Sequence, residues 1–262
     1  MTIFGGWLGY KTLQLIAPKE RYQLADRIGQ AQGGSAVTND KLEQFFGADF
    51  FETIRDKVVL DFGCGVGSQC VEMARHGAKA VIGLDIQQDA LERARQNAEA
   101  AGVSDRCIFA ENTNQLADVI TSKDAFEHFG DPEAVLQKMA TLLKPGGYVL
   151  AAFGPTWLHP YGGHLFSVFP WSHLLFSEQA QIRWRAQFKS DGATRFSEVA
   201  GGLNQMTIAR FERLVARSPF VMNWLDVVPI RGIPFLRYRP FREFGSSIVR
   251  CKLTPRGDRG GD

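Results

Sequence analysis

The feature that most constrains the fold is an apolar run that ends in a glycine-rich turn, VVLDFGCGVG at residues 58–67. The apolar run predicts a buried strand. The glycines at positions 63, 65 and 67 permit backbone conformations that other residues resist. A turn of this kind that opens into a helix brings main chain and a helix N-terminus close to a ligand. Three glycines alone are also typical of a tight turn that binds nothing.

The same alternation continues through the next ninety residues. Short apolar runs predict strands at KVVLDFG, AVIGLDI, RCIFA, ADVITS and GYVLAAF. Helical spacing lies between them, in QQDALERARQNAEAAG and DPEAVLQKMATLLKPGG. Strands that alternate with helices predict an α/β fold with a doubly wound, mainly parallel sheet.

The pattern changes on either side of this block and predicts five segments. Near the C-terminus, MTIARFERLVARSPF predicts a helix, and FVMNWLDVVP with SSIVRCKLTP predicts a closing antiparallel pair. The expected segments are a helical N-terminal cover at 1–56, a ligand-binding core at 57–154, an aromatic-rich lid insertion at 155–206, the C-terminal part of the core at 207–255, and a disordered tail at 256–262.

Composition excludes several classes of protein. With 22% charged and 45% apolar residues, the chain has the usual globular mix and is not a disordered or collagen-like polymer. A net charge of +2 argues against general nucleic-acid binding. The four cysteines form no CxxC pair, which favours a reducing cytoplasm. The start lacks the features of a secretory signal, and glycines and prolines interrupt the uncharged stretch at 145–177 before it could span a bilayer.

Two carboxylates accompany the glycine turn. Asp61 precedes the first glycine, and Asp85 ends the second predicted strand 18 residues after Gly67. A carboxylate at that place can accept hydrogen bonds from both ribose hydroxyls of a nucleoside, although it could also cap the next helix. Ser68 stands where the dinucleotide fingerprint has its third small residue, which argues against a nicotinamide-dependent oxidoreductase.

Together these residues resemble the class I S-adenosylmethionine-dependent methyltransferases. The resemblance implies a Rossmann-like fold with a seven-stranded, mainly parallel sheet whose last strand is antiparallel, and S-adenosyl-L-methionine as the cofactor. It implies that the glycine turn passes the methionine moiety, that the second carboxylate holds the ribose, and that side chains after the second and third strands meet the adenine. Together with a serine that ends the fourth strand, the implied cofactor contacts are Asp61, Gly63, Gly65, Gly67, Asp85, Ile86, Glu111, Asn112 and Ser122.

The acceptor side is expected after the fourth strand, in the segment SKDAFEHF. Asp124, Glu127 and His128 are spaced i, i+3 and i+4, so on a helical turn they share one face and could hold a cation or relay a proton. The DxxEH spacing resembles the ExxEH of ubiquinone-pathway O-methyltransferases and small-RNA 2′-O-methyltransferases, with Asp in the first place. That resemblance implies a divalent metal, such as Mg, Mn, Fe or Zn, bound by these three residues and His164.

Histidines supply the candidate catalytic groups. A bound cation lowers the pKa of an acceptor hydroxyl, and a histidine can do the same work as a general base. His128 and His164 are the candidates, with His159 as the alternate, while any single histidine in this region is more often an ordinary hydrogen-bonding residue.

Residues 155–200 hold nine of the 30 aromatic side chains. They could line a pocket for a flat or lipid-like acceptor, form the packed core of a lid, or touch a membrane surface. Eight of these nine are the candidates for such roles: Trp157, Tyr161, Phe166, Phe169, Trp171, Phe176, Trp184 and Phe188.

A basic cluster falls between residues 229 and 252. It could hold an anionic group of the acceptor, although such a run is more often a solvated face with internal salt bridges. Its members are Arg231, Arg237, Arg239, Arg242, Arg250 and Lys252.

The sequence therefore predicts a methyltransferase that acts on a small or lipid-like acceptor, most readily at a hydroxyl oxygen. Nucleic acid is not the expected partner, no transmembrane segment is expected, and a peripheral membrane contact is left open. The alternatives are an RNA 2′-O-methyltransferase and a protein that binds S-adenosylmethionine without catalysis.

Overall fold

A computed structural model describes residues 3–17, 42–199 and 202–257. The strands are β1 (Val58–Phe62), β2 (Ala80–Leu84), β3 (Cys107–Ala110), β4 (Ala117–Lys123), β5 (Leu143–Phe153), β6 (Phe220–Pro229) and β7 (Ser246–Pro255). They form one seven-stranded sheet in the order β3-β2-β1-β4-β5-β7-β6.

The α-helices lie between the strands and in two further segments. They are α1 (Gly6–Ile16), α2 (Leu42–Phe46), α3 (Phe50–Ile54), α4 (Ser68–Arg75), α5 (Gln88–Ala100), α6 (Pro132–Thr141), α7 (Ser172–Leu175), α8 (Glu178–Arg185), α9 (Ile208–Arg217) and α10 (Arg242–Gly245). Short 3₁₀ turns lie at His164–Phe166, Phe196–Glu198, Ile230–Gly232 and Pro234–Arg237.

The sequence-based prediction of the sheet is confirmed. Strands β1 to β5 pair in parallel, and β7 runs antiparallel to both β5 and β6. The five parallel strands carry nearly continuous apolar runs because helices cover both faces of such a sheet. One boundary differs: α6 ends at Thr141, so that Lys144 and the glycines after it fall within β5.

Local sequence explains where the helices begin. Asp131 accepts a hydrogen bond from the Ala134 amide at 2.9 Å, and Pro132 occupies the first turn, where its missing N–H costs nothing. Thr207 and Ser177 cap α9 and α8 in the same way.

The order of the strands places a crevice at the middle of the sheet. From β1 the chain proceeds outward to β2 and β3, then returns to place β4 on the other side of β1. The connections therefore leave in opposite directions after β1 and β4, and the carboxyl ends of these two strands border an open crevice where ligands bind in such folds.

Apolar residues cover both faces of the sheet. On one face an aromatic group lies under α9, where the rings of Phe126 and Phe153 have centroids 5.1 and 4.8 Å from the ring of Phe211. On the other face Phe50 and Ile54 of α3 pack against the strands and α4. The sheet is thus buried on both sides.

The segment between β5 and α9 folds as a separate apolar unit with α1. Leu13 of α1 packs with Phe176 and Trp184, which are 1% exposed. The expected N-terminal cover is thus divided: α1 packs on the insertion, and α2 and α3 pack on the sheet. Residues 18–41 of that cover, and 258–262 of the tail expected to be disordered, lie outside the described residues.

Of the aromatic residues expected to line an acceptor pocket, several form the interior of the insertion instead. Phe166, Phe176 and Trp184 are buried among apolar neighbours, as the packed-lid alternative requires. Tyr161 and Trp171 remain 50% and 40% exposed. Through the described residues, no helix combines the length and apolar character needed to cross a membrane.

We expect Phe211→Ala to lower the free energy of unfolding by about 3–5 kcal/mol, because the cavity would remove ring contacts from the core. Urea denaturation measures this loss. The matched control is Phe235→Ala, whose ring is 56% exposed and whose loss should cost about 0.5 kcal/mol or less. Equal losses in the two variants would contradict the assignment of Phe211 to the core.

Candidate functional site

The glycine turn after β1 takes the conformation for which glycine is suited. Gly63, Gly65 and Gly67 have φ values of 85°, 52° and 73°, in the left-handed region. A Cβ on Gly67 would lie 2.8 Å from both the Ala94 Cβ and a ring carbon of Phe109. No heavy atom lies within 4 Å of the corresponding point on Gly65, which therefore faces open space.

Asp85, directly after β2, binds the backbone of this turn. Its Oδ2 accepts a hydrogen bond from the Gly65 amide at 2.8 Å, and its Oδ1 accepts one from the Gln87 amide at 2.9 Å. The carboxylate thus orders the turn and the start of α5 together. Two carboxylate oxygens offer about four acceptor positions, so further donors can still bind.

The other predicted adenine contacts lie on the same edge of the sheet. Ile86 is 86% exposed directly after Asp85. Glu111 follows β3 and accepts a hydrogen bond from the Gln88 side chain, and Asn112 is exposed beside it. The exposed side chain of Ile86 lies next to the Asp85 carboxylate, so a ligand with one flat, apolar part and one polar part could contact both.

Asp61 and Ser122 lie inside the sheet and not on its open edge. The Asp61 carboxylate accepts hydrogen bonds from the Thr121 hydroxyl at 3.0 Å and the Cys70 thiol at 3.5 Å. Burial raises the pKa of Asp61 to about 6, against the opposing effect of these bonds. Ser122 donates to the Phe62 carbonyl at 3.0 Å. Both side chains join β1 to its neighbours.

The segment after β4 is a turn, not the helical turn that the DxxEH spacing suggested. Asp124 has a φ of 52°, and residues 126–128 form a tight turn. The Asp124 carboxylate accordingly faces the Lys123 ammonium, at 2.5 Å. It therefore does not share a face with Glu127 and His128.

Glu127 and His128 instead meet His164. One ligand-type atom of each of the three lies within 4.8 Å of the other two, and the imidazole centroids are 5.2 Å apart. His164 reaches this position through a left-handed backbone conformation with a φ of 52°. The structure thus brings together three of the four residues considered as metal ligands.

Two polar atoms of this group are buried without a hydrogen-bond partner, Glu127 Oε2 and His164 Nε2. The other oxygen of Glu127 accepts from the Gly154 amide at 3.1 Å. Burial raises the pKa of Glu127 to about 8 and lowers that of His164 to about 4. Unpaired polar atoms in the interior are costly, so a cluster of them at a sheet edge indicates a place for a ligand.

Hydrogen bonds determine the tautomers of the two imidazoles. His128 Nδ1 lies 2.9 Å from the Gly202 carbonyl, which only accepts, so this nitrogen carries a proton and donates. In the neutral ring this bond selects the tautomer whose Nε2 carries the lone pair. The Pro155 carbonyl accepts from the ring of His164, whose Nε2 has no partner. Both rings thus present an unprotonated Nε2, as imidazole metal ligands and general bases do.

The other histidines of the insertion have their own partners. His159 Nδ1 accepts from the Tyr161 amide at 3.0 Å, and burial lowers its pKa. His173 bonds the Trp157 carbonyl at 2.6 Å and the Ser167 hydroxyl at 2.9 Å. Neither imidazole joins the group formed by Glu127, His128 and His164.

A short segment at the end of the insertion holds the turn in place. The Asn204 side-chain amide donates to the carbonyls of Phe126 and Phe129 at 2.7 and 2.8 Å, and the Asn204 backbone amide donates to the Glu127 carbonyl at 2.9 Å. Gly202 has a φ of 63°, and a Cβ there would lie 2.9 Å from the His128 carbonyl oxygen. Sequence reasoning missed both residues because no spacing rule connects positions 202–204 with 126–129.

Most of the basic cluster is neutralised internally. Asp226 pairs with Arg237 at 3.0 Å and Arg250 at 2.8 Å, while Glu212 pairs with Arg239 at 3.0 Å and Arg242 at 2.6 Å. The pKa of Asp226 is lowered, since its bonds to Arg250 and Arg237 outweigh the opposing effect of burial. The structure therefore favours the interpretation of this run as a face with internal salt bridges.

Comparisons with known proteins agree with this geometry. Residues 55–155 match the family model described as a methyltransferase domain. A 103-residue stretch is 40% identical to a protein named ubiquinone biosynthesis O-methyltransferase from Neisseria meningitidis serogroup C, and it covers 37% of this chain and 43% of that protein. The chain thus spans less than half the length of the curated relatives it matches.

Solved structures show the same fold. An S-adenosylmethionine-dependent methyltransferase from Mesorhizobium loti superposes with a TM-score of 0.50 at 17% identity, over 78% of this chain and 92% of that one. The mitomycin 7-O-methyltransferase superposes with a TM-score of 0.56 at 16% identity, over 94% of this chain and 60% of that one.

We expect Asp61→Asn to change how stability depends on pH. Because the pKa of about 6 in the folded state exceeds the ordinary aspartate pKa of 3.8, the folded state holds a proton that the unfolded state releases. The contribution of Asp61 to the unfolding free energy is therefore full below pH 3.8 and is lost as the pH rises to about 6. Denaturation of both proteins across this range should show the variant gaining stability relative to wild type as the pH rises. A constant difference would contradict the raised pKa.

Proposed function

We propose that residues 55–155, which match a methyltransferase-domain family model, form the cofactor-binding domain of a class I S-adenosylmethionine-dependent methyltransferase. In this proposal the protein transfers a methyl group to a hydroxyl oxygen of a small or lipid-like acceptor. The observation that carries the choice of oxygen is the group of Glu127, His128 and His164 beside the glycine turn. Nitrogen acceptors need neither a cation nor a base of this kind, whereas a hydroxyl must lose its proton.

The nucleoside end of the cofactor site is built from the turn at 63–67 and the end of β2. The open side of Gly65 admits the cofactor close to the backbone, and the N-terminus of α4 faces the same space. Asp85 holds the turn and keeps acceptor positions for ribose hydroxyls. Ile86 and the segment with Glu111 and Asn112 provide the surface for adenine.

S-adenosylmethionine supplies an electrophilic methyl group on a sulfonium. The chain's own task is to hold the acceptor oxygen in line with that methyl group and to take up the hydroxyl proton. The bond from His128 Nδ1 to the Gly202 carbonyl selects the neutral tautomer in which Nε2 is the acceptor, and in that tautomer His128 Nε2 is the group placed to take up the proton. His164 lies beside it, and burial lowers the pKa of His164 to about 4, so this second imidazole is neutral.

The residues present also fit a divalent cation. Glu127 Oε2 and His164 Nε2 are buried without partners, and His128 is oriented by a carbonyl on its far nitrogen, as metal-bound histidines usually are. Two imidazoles and one carboxylate suit Mn, Fe or Zn better than Mg. When bound, such a cation would lower the pKa of the acceptor hydroxyl. Asp124 would need to leave its ion pair with Lys123 to join this set.

The side chains near the proposed acceptor position indicate the chemical class of the acceptor. The neighbouring insertion is rich in apolar side chains, and half-exposed Tyr161 and Trp171 are available to contact a ligand. The internal pairing of the arginines leaves no long basic stripe on the described residues, which argues against RNA as the acceptor. The four cysteines are free and buried, which supports a cytoplasmic location.

The first experiment is a calorimetric titration with S-adenosylhomocysteine, before and after chelator treatment, with metal analysis of the same sample. Binding together with a stoichiometric divalent ion supports cation-assisted O-methylation. Binding without metal leaves His128 as a base acting alone. Absence of binding overturns the proposal, and binding without turnover on any hydroxylated acceptor indicates a non-catalytic protein.

Asp85→Ala is expected to weaken binding of S-adenosylhomocysteine by about tenfold or more, because hydrogen bonds to a carboxylate are lost in the turn and at the ribose. Calorimetry measures the change. Asp89→Ala is the matched control, since that carboxylate lies on the exposed face of α5 in a pair with Arg93. Unchanged affinity in Asp85→Ala would refute the ribose assignment.

Glu127→Gln and His164→Ala are expected to lower turnover by about a hundredfold or more while leaving cofactor affinity within about twofold. Both should also weaken binding of Mn²⁺ or Zn²⁺, measured directly by calorimetry on chelator-treated protein. Glu99→Gln, which changes an exposed side chain of α5 in the same way, serves as the control. If turnover is retained and metal binding is unchanged, the three-residue group has no role on the acceptor side.

A further inference from the structure

The outward face of α1 is largely apolar and has no role in the site, and exposed Lys11 lies on it between Trp7 and Leu15. On the inward face Gly9 and Leu13 pack against α8 and its neighbours. On the outward face Trp7, Leu8 and Leu15 are 61%, 65% and 84% exposed, and Ile3, just before the helix, is 69% exposed. Several large apolar side chains exposed together on one short helix commonly mark a surface that contacts a membrane or a partner.

Two cationic side chains of the described residues contact aromatic rings of α1. Lys11 is the one charged residue in the described segment 3–17, and its ammonium lies 5.6 Å from the ring centroids of both Trp7 and Tyr10. Arg183 of α8 is exposed and lies 4.8 Å from the Tyr10 ring. Apolar side chains edged by aromatic rings and cations are the pattern found where a helix lies in a lipid headgroup region.

The length of α1 determines how it could meet a bilayer. Its 11 residues extend about 16 Å, roughly half the thickness of the hydrocarbon core. It therefore cannot cross a bilayer, but it can lie along the surface with its outer face in the acyl boundary. Lys11 and Arg183 are complementary to anionic headgroups. Each basic residue near such a surface contributes about 1 kcal/mol to the free energy of membrane binding.

We propose that α1 docks this protein on the surface of an anionic lipid bilayer through Ile3, Trp7, Leu8 and Leu15. Docking itself does not depend on the proposed function. The inference that docking brings the site to a lipid-like acceptor rests on the proposed function and on the contact between α1 and the insertion that carries His164. The amides of Ile3 and Phe4 both donate to the Leu175 carbonyl at 2.9 Å, and the Trp184 indole donates to the Ala17 carbonyl at 3.1 Å. A docked α1 thus brings the insertion to the membrane, where a lipid-like acceptor resides.

The test is co-sedimentation of the full chain with vesicles of phosphatidylcholine, with and without phosphatidylglycerol. Wild type is expected to sediment with the anionic vesicles and to be released by salt. Leu8→Glu/Leu15→Glu should weaken this binding by about tenfold or more, because two apolar contacts become charges that the anionic surface repels. Lys11→Glu should lower the preference for anionic vesicles.

The matched control is Phe235→Glu/Phe241→Glu, which introduces two charges on an exposed aromatic pair outside α1. It should bind vesicles as wild type does. Circular dichroism and S-adenosylhomocysteine affinity, measured on every variant, verify folding and test the cofactor site independently of vesicle binding. Loss of cofactor binding with intact vesicle binding would thus reject the proposed function alone.

Three outcomes would overturn membrane docking: no sedimentation of wild type, equal sedimentation of Leu8→Glu/Leu15→Glu, or loss of binding in the control variant. Light scattering tests whether a second copy of this chain, and not a lipid surface, covers the outward face of α1. If wild type is a dimer that becomes monomeric in Leu8→Glu/Leu15→Glu, a second copy of this chain covers the face of α1, and the lipid assignment is wrong.

Discussion

The pairing of β1 with β4 is the contact on which the rest of the site depends. These strands are neighbours in the sheet although about sixty residues separate them, with Leu60 opposite Ile120. Their side chains reinforce the backbone ladder, since Thr121 donates to the Asp61 carboxylate and Ser122 to the Phe62 carbonyl. Because parallel strands end at the same edge, this pairing places the glycine turn beside the turn that carries Glu127 and His128, where a Cβ on Gly63 would lie 2.9 Å from the Ala125 Cβ.

A second long-range contact completes the acceptor side. The turn at 126–129 has no regular secondary structure of its own, and its carbonyls would be left unpaired without Asn204. The same segment orients the imidazole of His128 through the Gly202 carbonyl. The insertion therefore does more than cover the crevice, since its first part supplies His164 and its last part holds the turn that His164 faces.

The buried polar atoms of the site carry an energetic cost that the apolar core offsets. Glu127 and His164 are both driven toward their neutral forms by burial, one by a raised and the other by a lowered pKa. Neutral, incompletely bonded groups in the interior reduce stability, and such groups concentrate where proteins bind ligands. The aromatic packing around Phe211 and the two apolar faces of the sheet supply the stability that allows it.

The sequence by itself determined the architecture, because strand and helix periodicity, glycine turns and caps act over a few residues. It therefore predicted the sheet, the order of its elements, and the turn with Asp85. Spacing along the chain also pointed to Glu127 and His128, and the family resemblance added His164, with His159 as the alternate. The same spacing placed Asp124 with them by assuming a helix where the backbone instead turns at a φ of 52°. Only the tertiary structure decided that three histidine and carboxylate side chains meet, that Gly202 and Asn204 hold them, and that most aromatic residues of the insertion form its core. These outcomes depend on contacts between residues up to about eighty positions apart, and such contacts leave no periodic signal in the sequence.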